Sequence, residues 1–297
     1  MEQYSLFDDD TPYIPQNLSE RFGENPFSIL RADTGRWISA EQGYKRLGIK
    51  GGLGRDVDLF NAGFSNRKNG DRFDAQSIFS AHLTEIIYSW FAPINGRILD
   101  PFAGGSVRGI VAGIMGNTYT GIDIRKEQVE EDEKQVEELS RHLKTKPEYI
   151  CGDSREVLDD IVKQFDLVFS CPPYADLEVY SDLQGDISNM TYNDFLTAYT
   201  DIIQKSCAKL KDGGFAVFVV SEIRDNKGFY RGFVPSTIQA FQKAGMNYYN
   251  DMILMNVVGT ACRRTRQFDM TRKVVKMHQN VLVFCKGKPA LNGFRVY

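Results

Sequence analysis

The sequence predicts an α/β fold built on one mostly parallel sheet of seven strands, the last of them antiparallel. Three observations carry that expectation. From about residue 75, short apolar runs alternate with amphipathic stretches. Two of the runs end abruptly, at Asp100-Pro-Phe-Ala-Gly-Gly and at Cys171-Pro-Pro-Tyr174. The final two runs have no convincing helix between them, so they should pair antiparallel at one end of the sheet.

In order, strands are expected at 97–100, 119–124, 149–153, 166–170, 215–221, 251–257 and 280–285. Between the second and third, Val129, Val136, Leu139 and Leu143 recur on a charged background, the spacing of an amphipathic helix. Further helices are expected at 82–90, 107–115, 192–210 and 234–244. Residues 1–70 are rich in Gly, Asp, Asn and Arg, with Gly51, Gly52 and Gly54 clustered and little periodicity outside 37–47. They read as an arm or cap before a main domain at 71–297.

With 297 residues, 42% hydrophobic and 25% charged, the chain can bury a full core. A net charge of -3 excludes an overall basic coat, so any contact with a polyanion must be local. The first fifteen residues hold Glu2, Asp8, Asp9 and Asp10 and do not read as a signal peptide. No apolar run reaches the roughly 18 residues of a membrane span. Five scattered cysteines with no Cys-x-x-Cys pair predict a reducing cytoplasm and no structural metal.

The first turn lies where ligands gather in such sheets, beyond the carboxyl ends of parallel strands. It lacks both phosphate-binding spacings, Gly-x-x-x-x-Gly-Lys and Gly-x-Gly-x-x-Gly. Asp100 would repel a phosphate there but could hold a cationic amino or sulfonium ligand, and bare backbone at Gly104 and Gly105 allows close approach. Asp123, about 20 residues further on, stands where an acid takes two ribose hydroxyls. Asp153, in Cys-Gly-Asp-Ser154, is placed for the amino group of an adenine. Any one of these is ordinary turn chemistry; together they describe an adenosine with a charged tail.

At the second turn, proline cannot continue the ladder and the chain must leave the sheet. By itself that is a plain strand exit, but Tyr174 follows directly. The two motifs together resemble those of the amino-DNA methyltransferases, which methylate adenine N6 or cytosine N4. Pro26-Phe-Ser-Ile-Leu, Leu47-Gly-Ile-Lys, Leu53-Gly-Arg and Ala175-Asp-Leu-Glu-Val-Tyr-Ser181 look like a phage- or prophage-associated branch.

The resemblance implies a Rossmann-like fold dependent on S-adenosylmethionine. The cofactor would be held by Phe79, Asp100, Pro101, Phe102, Gly104, Gly105, Asp123, Asp153 and Ser154. Catalysis would involve Ser170, Cys171, Pro172, Pro173 and Tyr174: the first motif side chain and the Pro172 carbonyl accept from the target amine, and Tyr174 stacks on a base flipped from the DNA duplex. Flipping costs a few kcal/mol and stacking returns about 1 to 3, so the pocket is plausible on energy.

The family places Asp, Asn or Ser where this chain has Cys171, and a thiol is a weak acceptor. Cys171 could act weakly, Ser170 could assist, or the chemistry could differ. A cysteine nucleophile adding to a pyrimidine ring is one alternative, although that family places cysteine after proline and no Glu-Asn-Val is present. Others are an RNA or protein-amide methyltransferase, or an inactive module that binds DNA or cofactor.

For DNA phosphates the candidates are Arg263, Arg264, Arg266, Arg272, Lys273 and Lys276, set against the single acid Asp269. A solvated loop is the plain reading of such a run. Loops 176–189, 224–231 and 258–277 are expected to face the target. Phe229 and Tyr230 could wedge bases, with core packing the ordinary expectation, and His278 reads as structural.

Overall fold

The computed structural model describes residues 22–50, 79–174, 181, 183, 185–259 and 261–295. Its strands are β1 (Ile29–Arg31), β2 (Arg97–Asp100), β3 (Thr118–Asp123), β4 (Glu148–Cys151), β5 (Phe165–Ser170), β6 (Leu210–Val220), β7 (Asn247–Met255) and β8 (His278–Cys285). They form a sheet in the order β1-β7-β8-β6-β5-β2-β3-β4. All neighbours pair parallel except β8, which is antiparallel to both β6 and β7. That order, reversing between β2 and β5 and closed by one inserted antiparallel strand, is the Rossmann-like methyltransferase fold.

The helices are α1 (Gly35–Leu47), α2 (Ala81–Phe91), α3 (Val107–Met115), α4 (Lys126–Glu138), α5 (Ser154–Asp160), α6 (Tyr192–Ala208), α7 (Phe233–Lys243) and the short α8 (Ala261–Arg264) and α9 (Arg266–Thr271). Both faces of the sheet are covered, and β6 shows how one strand serves two cores. Phe215, Val217 and Val219 join one cluster with α2 and α3, while Ala216, Phe218 and Val220 join the other with α6 and α7. A strand buried on both faces reads as a continuous apolar run, which is why 215–220 was legible.

Among the described residues the sheet has eight strands, not seven. The eighth is β1, three residues in which only Leu30 is buried, too short for periodicity to reveal. It pairs with β7 from within the expected arm, and Trp37 of α1 enters the same core as Leu30. The antiparallel pairing holds, but β8 sits inside the sheet and β1 covers the far edge of β7, so the pair is not terminal. The third expected strand also stops earlier: β4 ends at Cys151, and Asp153 begins α5 as its N-cap. Gly51, Gly52, Gly54 and the resembling stretches at 53–55 and 175–180 lie outside the described residues.

Candidate active site

Because β2, β3, β4, β5, β6 and β7 run parallel, their carboxyl ends share one edge of the sheet. A cleft with about 1030 Å³ of space free of protein atoms, open to solvent, lies there. Its walls include Phe79, Pro101, Phe102, Gly104, Asp123, Asp153, Ser154, Cys171, Pro172, Pro173 and Tyr174, so the two motifs face one space. Asp100, Gly105 and Ser170 do not line it.

The turn after β2 is fixed by Asp123 at the end of β3. Gly104, with φ +52°, donates its N–H to Asp123 Oδ2 at 3.0 Å, and the Arg125 N–H donates to Oδ1 at 2.8 Å. A residue with a Cβ is strained at that φ. Burial raises the Asp123 pKa above the ordinary carboxylate value, against the pull of the Arg125 and Gly104 bonds. Each carboxylate oxygen keeps acceptor capacity beyond one backbone bond, so Asp123 can receive further donors from the cleft.

Asp153 caps α5, accepting from the Arg155 N–H at 2.9 Å, and its carboxylate is paired with the Arg155 guanidinium. Ser154 Oγ donates to the Pro101 carbonyl at 2.6 Å, tying the start of α5 to the first motif. Opposite them is a turn at Gly185. A Cβ on Gly185 would fall 2.8 Å from Ile124 Cδ1 and 2.9 Å from Asp153 Oδ2, so any larger residue would have to push those side-chain ends aside. Asp186 holds the turn by accepting from the Ser188 N–H at 2.8 Å and from Ser181 Oγ at 2.7 Å.

Asp100, expected from sequence to hold a cationic ligand, does not line the cleft. Asp100 is fully buried. Its carboxylate accepts from Arg108 Nε, from Tyr119 Oη at 2.8 Å, from Ser170 Oγ and from the Phe102 N–H at 3.2 Å. Ser170 is thereby engaged with Asp100 and does not line the cleft. What reaches the cleft from this knot is the cation: Arg108, itself buried, lines the wall. Burial alone would lower its pKa; the Asp100 carboxylate beside it outweighs that and raises it, so the guanidinium stays charged.

Around the second motif, the Arg108 guanidinium lies 4.6 Å from the centre of the Phe79 ring, which meets Phe169 edge-on at 5.7 Å. Cys171 is half-buried and packs on one core cluster, Tyr174 on the other, with the Tyr174 ring edge-on to Phe233 at 6.1 Å. The motif thus straddles the sheet edge. Sequence reasoning missed Arg108, Ile124 and Arg125 on this wall, whereas Gly185, Asp186 and Ile187 belong to the 176–189 loop expected to face the target. Within that loop Gly185-Asp186, a turn pair, offered a signal.

The basic segment emerges after β7 on the same edge. Arg264, Arg266 and Arg272 are exposed and Lys273 and Lys276 are half-buried, with burial lowering the Lys276 pKa against Glu222. The side chain of Arg263 lies outside the described residues. Residues 224–231 form a small hairpin bridged at Arg224 and Tyr230, the Arg224 guanidinium 3.8 Å from the Tyr230 ring centre. Lys273 rests on its Gly228, where a Cβ would collide with Nζ. Phe229 is 70% exposed and Tyr230 48%, so neither packs in the core. Burial, then Lys276, lowers the His278 pKa. Among the described residues no group of His, Cys, Asp and Glu is arranged for a metal, and no helix is long and apolar enough to cross a membrane.

No protein-family model matches this chain, and no curated protein matches it. Solved structures resemble it at low identity. TrmN from Thermus thermophilus is 14% identical with a TM-score of 0.46, over 70% of this chain and 49% of that one. The chain thus spans about half the length of that protein. An rRNA methylase from Streptococcus thermophilus is 8% identical with a TM-score of 0.44, over 70% of this chain and 96% of that one. A candidate DNA modification methylase, also from Thermus thermophilus, is 20% identical with a TM-score of 0.35, over 49% of this chain and 53% of that one. The fold assignment rests on the chain's own strand order.

Proposed function

We propose that this chain is an S-adenosylmethionine-dependent methyltransferase acting on an exocyclic amino nitrogen of a base in DNA, adenine N6 or cytosine N4. One observation carries the reading: Asp123, Asp153 and Cys171-Pro-Pro-Tyr174 line a single cleft at the carboxyl edge of the sheet. The wall suits a sulfonium nucleoside. Asp123 offers charged acceptors for a pair of ribose hydroxyls, Phe102, Ile124 and Ile187 offer apolar surface for a purine, and Asp153 and Ser154 stand at its polar edge. Gly104 holds a positive φ at the turn, and Gly185 brings bare backbone close to Ile124 and Asp153.

When bound, the cofactor supplies an electrophilic methyl group on sulfur. The chain's own part is to prepare the amine, whose lone pair is delocalised into the base. Cys171 and the Pro172 carbonyl accept its hydrogens, Tyr174 stacks on the base, and the proton released after transfer goes to solvent. No strong general base is required. The exposed cations of 264–272 and the aromatic hairpin at 229–230 support a nucleic-acid substrate by placing charge and ring surface on the same edge.

The test is incubation with labelled S-adenosylmethionine and DNA, and separately RNA, followed by nucleoside mass spectrometry. Label on adenine N6 or cytosine N4 of DNA is the expected result. Label in RNA alone would move the substrate, label on a ring carbon would make Cys171 a nucleophile, and cofactor binding with no transfer would leave a binding module. Cys171→Ser, a better acceptor, is expected to keep or raise the rate; loss of all activity together with loss of a covalent adduct would favour the nucleophile.

A further inference from the structure

We infer that Arg108 is the residue that reads the α-carboxylate of the cofactor's methionine tail. The inference rests on the cofactor named above and deepens it. Two cations, Arg108 and Arg125, line the cleft among the described residues. Arg125 belongs to the Asp123 end and donates to Gln128 Oε1 at 2.6 Å. Arg108 belongs to the other end, its guanidinium 4.6 Å from the Phe79 ring centre and on the same wall as Cys171. A cofactor with its ribose at Asp123 and its methyl directed at Cys171-Pro-Pro-Tyr174 would have its charged tail near that end.

The geometry of Arg108 fits the task. Its Nε is on Asp100, and Nη2 donates to the Phe102 and Ala103 carbonyls at 2.8 and 2.7 Å. Those bonds fix the plane of the guanidinium and leave Nη1 for the cleft. A planar guanidinium held from behind is preorganised to donate to a carboxylate. Asp100 cancels the charge that would otherwise repel the sulfonium, so the corner accepts a zwitterionic tail rather than a bare cation. This inverts the expectation from sequence, in which the acid met the ligand directly.

Calorimetric titration tests it, using S-adenosylmethionine, its decarboxylated form and 5′-methylthioadenosine, which lacks the tail. The variants are Arg108→Lys, which keeps a cation for Asp100, and Asp100→Asn with Arg108→Gln, which removes both charges so that none is orphaned. Either variant is expected to bind S-adenosylmethionine about 10- to 100-fold more weakly. Affinity for 5′-methylthioadenosine should change less than about twofold, and the decarboxylated cofactor should bind wild type and variants alike. Equal weakening of all three ligands would make Arg108 purely structural, and unchanged S-adenosylmethionine binding in a folded variant would exclude the contact. If wild type binds none of them, the cofactor assignment itself falls; if it binds all three and the variants do too, only the role of Arg108 falls.

Discussion

Asp100 and Asp123 close neighbouring parallel strands, and the sequence offers them as two members of one set. The fold gives them opposite work. Asp100 is enclosed by Arg108, Tyr119, Ser170 and the Phe102 amide and never meets the cleft. Asp123 is held by two backbone N–H groups and faces it. A carboxylate surrounded by side-chain donors is part of the frame; one held by backbone alone keeps acceptors for a ligand. Substitutions at the two positions should therefore separate stability from binding.

The largest effect is expected at Asp100. Asp100→Ala leaves Arg108 buried without its counter-charge, and breaking such a pair costs about 3 to 5 kcal/mol. Urea denaturation would show it as a drop in the midpoint, and a loss below about 1 kcal/mol would mean the knot is not structural.

Asp123→Asn comes next and should act on binding. Charged hydrogen bonds contribute roughly 1.5 to 3 kcal/mol each, so S-adenosylmethionine affinity should fall about 10- to 100-fold. Stability should not fall with it. Burial raises the folded pKa of Asp123 above that of an ordinary carboxylate, so its ionised form costs folding free energy at neutral pH, and that cost disappears as pH falls through the folded pKa. Asp123→Asn should accordingly be as stable as wild type or more so at pH 7, with the advantage gone in acid. Cofactor binding by wild type should weaken on acidification at a higher pH than an ordinary aspartate would give. Thermal melts and titrations across pH check both signs.

Asp153 is the intermediate case, being both N-cap of α5 and part of the wall. Asp153→Ala should lose about 1 kcal/mol of stability from the cap together with a several-fold loss of cofactor affinity. A loss in only one of the two measurements would place Asp153 wholly with Asp100 or wholly with Asp123.

The smallest effect on the frame is expected outside the cleft. Replacing exposed Arg264 and Arg266 with alanine should shift stability by less than about 0.5 kcal/mol and leave cofactor affinity alone. The salt dependence of DNA binding should nevertheless become shallower, by about 0.9 in log–log slope for each phosphate that the variant no longer neutralises. An unchanged slope would remove the basic segment from the substrate surface.

These contrasts also mark what the sequence could convey. β2, β5 and β6 were legible because strands buried on both faces are written as apolar runs, and the two turns because glycine and proline punctuate the chain. Asp123 was legible because strand end and spacing agree. Arg108 was not, because an arginine two positions into a helix reads as surface charge until the fold closes Asp100 over it. β1 was hidden by its three residues. Asp153 was placed at a strand end because nothing in Gly-Asp-Ser says whether the acid finishes β4 or starts α5. Phe229 and Tyr230 were expected in the core on hydrophobicity alone, whereas the tight turn capped by Asp225, which accepts from the Phe229 N–H at 2.8 Å, turns them outward.

A crystal structure of the chain soaked with S-adenosylmethionine would locate the ribose and the charged tail in one experiment. Density is expected in the cleft beside Gly104, with the ribose hydroxyls on Asp123 and no contact to Asp100. A cleft left empty at saturating cofactor, or a ligand whose charged end lies on Asp100, would contradict the division of work between the two carboxylates.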